Sequence, residues 1–255
     1  MPHDEAIAAA LKYPPTQTLL GRLSTTHLQL CPQNSGKIDT QLASTLRHSH
    51  PDIELRLHAN VQIEDLPRIV DLCNWPDEKI WFSNVASLSS TLDATAYSAH
   101  AGKRSFCSLP EVLCHAREIE QMFGIPVAIE GHYPTPRDVW LISSWAEYQR
   151  VLESGVHFAL DLSHLHILAT CSGRIEWILV KEMLASEKCL EIHVSANDGH
   201  SDQHLPLTEP PWWMPLLSGA HPGAIVFSES RQHLSNQSFP RTSHCRDQGL
   251  ACSSR

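Results

Sequence analysis

Short apolar runs that end on a histidine or a carboxylate recur along the chain at intervals of roughly one βα unit. They are ELRLH (54–58), TAYSAH (95–100), VAIE (127–130), FALD (158–161), LEIH (190–193) and IVFSE (225–229), preceded by THLQL (26–30). Between them lie segments with helical spacing of apolar positions: 38–48 with Asp39 as cap, 63–73, 108–124, 139–155 and 174–186. The clearest is 108–124, which opens Ser-Leu-Pro-Glu, with Ser108 as cap and Pro110 in its first turn, and stops at Gly124. KIWFS (79–83) reads as a short strand, and the Pro- and Trp-rich stretch 205–217 either covers the ends of the strands or begins a helix. Strands alternating with helices predict a parallel sheet, which at this repeat closes into a (β/α)8 barrel whose strand C-termini meet at one mouth. The expectation is that residues 1–229 form that single domain and that 230–255, with small polar residues and little periodicity, form a flexible C-terminal tail.

Composition narrows the picture. A length of 255 residues matches one α/β barrel, usually about 250 residues. No apolar run approaches the roughly 20 residues of a membrane span, and the N-terminus lacks a secretion signal, so the expectation is a cytoplasmic protein without a membrane partner. The formal charge of −9 weighs against an extended nucleic-acid surface, which needs a basic stripe. The eight cysteines form no CxxC, which excludes a zinc ribbon or thioredoxin-type motif. Cys31 and Cys189, in apolar contexts, read as reduced buried thiols.

Histidine, at 17 residues, is the outlier. His58, His100, Glu130, Asp161, His193 and Glu229 each stand where an ordinary buried strand would continue with Val or Ile. One such histidine is more often a hydrogen-bonded core residue than a ligand, and an Asp near a His is usually a solvated pair. Several at one barrel end are a different matter, because each would cost several kcal/mol if buried without a partner, and metal coordination removes that conflict. Asp161-x-x-His164, with His164 placed in the loop after its strand, and Asp202-x-His204, taken as an extended segment whose i and i+2 side chains share a side, complete nine candidates. Imidazole and carboxylate donors suit iron, manganese or zinc. His132 and Tyr133 are candidates to line the mouth; Asn197, Asp198 and His200 read as turn formers, and His27, His157 and His166 as structural.

The order His58, His100, Glu130, Asp161-x-x-His164, His193, Asp202-x-His204, Glu229 resembles the xylose isomerase-like TIM barrel superfamily, over about residues 25–230. In particular it resembles the trinuclear members, endonuclease IV and the multinuclear non-haem iron-dependent oxidative enzymes of peptide natural-product biosynthesis. The resemblance implies that Glu130 bridges two ions, that His58 and His100 complete the first, that Asp161, His193 and Glu229 hold the second, and that His164, Asp202 and His204 hold the third, with Glu130, Asp161 and His193 as catalytic core. The segments DLSH (161–164) and HVSAND (193–198) depart from the endonuclease IV pattern, whereas FALDLSHLHI and EIHVSANDGHSDQHLPL followed by PPWWMPLL are similar to the iron enzymes. The usual glycine- and arginine-containing N-terminal signature of that family is missing, which makes this a compact or divergent member. The function so implied is O2-dependent oxidative modification of a cysteine in a ribosomally made precursor peptide, using two or three iron ions, with a separate leader-peptide-binding protein as partner. The alternative is a sugar isomerase or epimerase, or an endonuclease IV-like zinc hydrolase; the loop HVSANDGHSDQHLPL also resembles that of the isomerases. A non-catalytic barrel that stores or senses metal is a third reading, and requires a site without an open coordination position.

Overall fold

All strand pairing within the two sheets is parallel, as the βα rhythm predicts. The computed structural model describes residues 1–12, 19–21 and 23–230. Among these, β1 (His27–Leu30) pairs with β2 (Glu54–Leu57), and β3 (Tyr97–His100), β4 (Val127–Glu130), β5 (Phe158–Asp161), β6 (Cys189–Val194) and β7 (Ile225–Ser228) form a five-stranded sheet in sequence order. β2 lies against β3 and β1 against β7, so the two sheets curl into one barrel of the α/β class. Seven strands stand where eight were expected; an eighth is not among the described residues. The expected tail, residues 230–255, lies outside the described residues except for Ser230.

The helices are α1 (His3–Lys12), α2 (Thr40–Ser49), α3 (Lys79–Thr91), α4 (Leu109–Phe123), α5 (Trp145–Ser154), α6 (Leu162–Ser172) and α7 (Trp177–Ala185). Caps explain several boundaries. Asp39 accepts the Leu42 amide at 2.9 Å to start α2, and at α4 Ser108 and Glu111 cap each other's backbone reciprocally, with Gly124 left-handed at φ 67° closing it. None of these helices is long and apolar enough to cross a membrane.

Four expectations are corrected. Residues 63–71 are irregular, with only a 3-10 turn at Leu72–Asn74: Pro67 interrupts the segment, Asn60 Oδ1 accepts the Val70 amide at 2.8 Å, and Leu66 and Ile69 are exposed, so the apolar positions share no buried face. KIWFS is no strand but the first part of α3, whose buried Trp81, Phe82, Val85, Leu88 and Ser89 follow helical spacing. Residues 139–144 precede α5 rather than join it, and α7 is shorter than 174–186. The stretch 205–217 leads into a 3-10 helix, Met214–Gly219, which packs against α7 and follows the buried Trp213.

Alternation along the strands sorts side chains between barrel interior and helix layer. Register sets Gln29 beside Arg56, His100 beside Glu130, and Asp161 beside His193. Leu55, Leu57, Ile129, Leu160, Ile192 and Val194, the intervening positions, are fully buried in the main core.

Candidate metal centre

The nine candidate residues converge at the C-terminal ends of β2 to β7 and in the segments just beyond them. Glu130 is the hub. Its Oε1 lies 3.5 Å from His193 Nδ1, 3.7 Å from His100 Nε2 and 3.9 Å from His164 Nδ1, while Oε2 lies 3.6 Å from His58 Nε2. Glu229 Oε1 is 3.5 Å from His58 Nε2 and 3.4 Å from His193 Nδ1, and its Oε2 is 3.4 Å from His204 Nδ1. His164 Nε2 stands 3.2 Å from Asp161 Oδ2 and 3.6 Å from Asp202 Oδ2, and Asp202 reaches His204 Nε2 at 2.9 Å.

Three compact donor groups result: His58–Glu130–His193, Glu130–Asp161–His164 and Asp161–His193–Glu229, each with its ligand atoms within 4.8 Å of one another. The last matches the second ion's implied ligand set. In the first, His193 stands where the resemblance placed His100.

Local structure explains how each side chain is aimed. Asp161 ends β5 and caps α6: its Oδ1 accepts the Ser163 amide at 2.7 Å, the Ser163 hydroxyl at 2.6 Å and the His164 amide at 3.2 Å. That leaves Oδ2 without a hydrogen-bond partner, facing His164 Nε2. His164 is therefore in the first turn of a helix, not in a loop as expected; α6 escapes recognition because buried apolar residues surround it and blur its periodicity. Its Nδ1 meets the Gly131 carbonyl at 2.9 Å, as His58 Nδ1 meets the Ala59 carbonyl at 3.1 Å. The Asp202–His204 pair does come together, though the backbone is not extended: His204 is left-handed at φ 49°. Asn197 and Asp198 shape the preceding loop, Asn197 by donating to the Ser163 carbonyl at 2.9 Å and Asp198 by accepting the His200 and Ser201 amides. His27, His157 and His166 hold structural partners Glu54, Glu120 and Trp212.

Electrostatics mark the same cluster. Burial pushes the Asp161 carboxyl up to about 6, against the pull of His164. Burial disfavours the charged form of His164, yet Asp161, Asp202 and Glu130 together raise it to about 10. For Glu130 the surrounding imidazoles, His100 and His193 foremost, outweigh burial and hold the carboxyl well below its ordinary range.

The residues fit a metal. His58 Nε2, Glu130 Oε2, Asp161 Oδ2, His193 Nδ1, Asp202 Oδ1 and His204 Nδ1 are all buried without a hydrogen-bond partner. Buried polar atoms are normally satisfied, so six orphans in one small region mark a place built for something else. Divalent ions among carboxylates and neutral imidazoles would satisfy them.

Several neighbours lay outside the sequence reading. Glu191 and Arg56 are buried inside the barrel beneath His193, and Asp71 Oδ1 approaches His100 Nδ1 at 3.9 Å. Inward charges on strands look like ordinary polar alternation, and Asp71 fell in the segment misread as helix. Burial lifts Glu191, but His193 and Arg56 bring it down to about 2. Cys31 is only partly buried, at the mouth end of β1, rather than in the core; Cys189 is buried as expected, and the six described cysteines are all free. His132 is stacked between His100 and Trp140, with ring centroids 4.6 and 4.4 Å away, and the Tyr133 ring lies 5.0 Å from that of His164, so both line the mouth.

Gly131 makes that wall possible. A Cβ there would fall 2.5 Å from the hydroxyl oxygen of Tyr148, which donates to the His132 carbonyl at 2.9 Å. Gly131→Ala should therefore destabilise the protein by about 1–3 kcal/mol, as overpacking does. Thermal unfolding should show a midpoint several degrees lower, and metal binding should weaken because the Gly131 carbonyl that orients His164 must move.

Neither a protein-family profile nor a curated protein matches the sequence. Solved structures do match the fold. An AP endonuclease, family 2, from Brucella melitensis superposes with a TM-score of 0.60 at 14% identity, over 91% of this chain and 89% of its own. A D-tagatose 3-epimerase-like protein gives 0.58 at 16%, over 83% and 86%. A D-psicose 3-epimerase gives 0.55 at 14%, over 79% and 73%. The architecture is thus that of the xylose isomerase-like TIM barrels.

Proposed function

We propose that the protein is an enzyme holding more than one ion at its barrel mouth, and that its reaction is proton transfer on a small hydroxylated carbonyl compound, of the isomerase or epimerase class. The observation that carries the multinuclear part is Glu130, ringed by four imidazoles and surrounded by orphaned donor atoms. The reaction class draws on the epimerases among the fold neighbours. A charge of −9 is no obstacle to a neutral polyol but opposes a DNA phosphate backbone, which ranks the endonuclease alternative lower.

Bound ions would polarise substrate oxygens and lower the pKa of the adjacent C–H or O–H. The chain's own contribution follows from exposure. Glu130, Asp161 and His193 are sealed, whereas Glu229, Asp202 and His204 are about one-fifth exposed and face the entry. Glu229 Oε2 is the carboxylate oxygen we assign to take a proton from substrate, while its Oε1 faces His58 and His193. His132, Tyr133 and Trp140 offer flat surfaces for the carbon face of a sugar and restrict water at the mouth.

A second reading is iron- and O2-dependent oxidation of a cysteine in a precursor peptide, delivered by a leader-binding partner protein. It is favoured by residues 158–217, which resemble the oxidative enzymes, and by imidazoles in excess of what a single-ion site needs. The deciding experiment combines elemental analysis after anaerobic purification with two assays. Ketoses and aldoses are incubated in D2O and followed by NMR for deuterium at the carbon next to the carbonyl. A cysteine-containing peptide is followed by mass spectrometry with and without O2. Exchange by the wild type that is lost in Glu229→Gln supports the first reading. Iron content with O2-dependent peptide modification and no exchange replaces it with the second, and absence of bound metal overturns both.

A further inference from the structure

His193 has one ring nitrogen committed to the candidate metal centre and one that is not. Nδ1 is orphaned and faces Glu130 and Glu229, while Nε2 lies 3.2 Å from Glu191 Oε2. Glu191 is completely buried, yet each of its oxygens has an external donor: Gln29 Nε2 donates to Oε2 at 2.7 Å and Arg56 Nη1 to Oε1 at 2.9 Å. Arg56 is itself buried and fixed by the Thr95 hydroxyl, which it reaches at 2.8 Å. The partners come from β1, β2 and the start of the β3 run, so a charged brace crosses the barrel beneath the site.

We infer that Glu191, held by Arg56 and Gln29, is a positioning residue that keeps the ring proton of His193 on Nε2 and so presents the Nδ1 lone pair to the ions. A carboxylate that already accepts from an arginine and a glutamine amide offers the imidazole only acceptor atoms. The ring must therefore carry its hydrogen on Nε2. The Gln29 amide, 3.5 Å from the same ring nitrogen, donates instead to Glu191. The contrast with the other imidazoles isolates the effect: His58 and His164 turn their remaining nitrogen to backbone carbonyls, which orient a ring without bringing a charge to it. Of the imidazoles, His193 alone has a fully buried, arginine-backed carboxylate there, and it is the one imidazole that belongs to two of the three compact groups. Such partners orient a ligand and raise its basicity, and their loss commonly costs 10–100-fold in metal affinity.

The inference rests on the metal reading, and the test separates the two. Full-length protein is titrated with Zn2+ in competition with a chelating dye, and ring nitrogens are observed by NMR in 15N-histidine protein. In the zinc-loaded wild type, His193 is expected as the Nε2–H tautomer with Nδ1 metal-bound. Glu191→Gln should lower the tightest Zn2+ affinity about 10–100-fold while circular dichroism still reports a folded barrel. Because leaving Arg56 unpaired can itself unfold the protein, the double variant Arg56→Met/Glu191→Met removes both charges together and should show the same loss. Wild type that binds no Zn2+ overturns the metal reading itself. Wild type that binds, with either folded variant binding equally well, overturns the role of Glu191, as does a wild-type spectrum placing the His193 proton on Nδ1.

Discussion

Glu130→Gln should empty at least one metal position and lower turnover by at least a hundredfold. The substitution preserves shape but replaces one carboxylate oxygen by an amide NH2, which cannot serve as a ligand and would point a donor at His58 or at His100, His164 and His193. Residues one step removed from a metal already cost about 10–100-fold when lost, so a hub that touches four imidazoles should cost no less. Elemental analysis reads the occupancy and steady-state rates on the substrate found by the assays above read the turnover. A variant with full metal content and normal rate would remove Glu130 from the centre of the site.

Removing the ions should make stability sharply pH-dependent, with the loss on the alkaline side. Without metal, protons take the ions' place among the carboxylates: His164 is raised to about 10, and His58, His193 and His204 are raised as well. A group whose folded pKa exceeds its unfolded value contributes stability that is complete below the unfolded value, about 6.5 for histidine, and vanishes as pH rises through the folded one. Asp161, raised to about 6, acts in the same sense at lower pH. Glu130, Glu229 and Asp202 are lowered and act oppositely, contributing above their unfolded pKa and losing that contribution as acid protonates them. The chelated protein should therefore lose thermal stability between pH 6.5 and 10, while the loaded protein holds it, since ligands bind metal in their deprotonated forms. An ion present at a thousand times its Kd adds about 4 kcal/mol, so chelation at pH 8.5 should lower the midpoint by roughly 10 °C and by less at pH 6.5. Scanning calorimetry of loaded and chelated protein at both pH values measures this. Equal shifts at the two would show that protons do not substitute for ions here.

The strand ends were legible in the sequence because an apolar run that stops on a histidine or carboxylate breaks the pattern a buried strand otherwise follows. The α4 boundaries were legible for a local reason too, the reciprocal Ser108–Glu111 cap and Gly124. Elsewhere local signals misled. KIWFS is a short β-branched and aromatic run that resembles a strand over five residues, and only the continuation to Leu88 shows the helical repeat. Residues 63–73 have helix-like spacing, but side-chain contacts from Asn60 and Gln62 hold them irregular. The brace of Gln29, Arg56 and Glu191 was invisible because three residues separated by up to 162 positions become a unit only once β1, β2 and β6 are placed around one axis.

The two seams of the barrel, β2 against β3 and β7 against β1, carry no ladder pairing among the described residues. Mechanically the β1–β2 pair is a stave set into a five-strand wall. It is tied there by Arg56 and Gln29 reaching Glu191, and by His58 reaching Glu130 and Glu229. Ions bound at the mouth would act as rivets through that joint, so the atoms that would hold them would also set how far the wall can open.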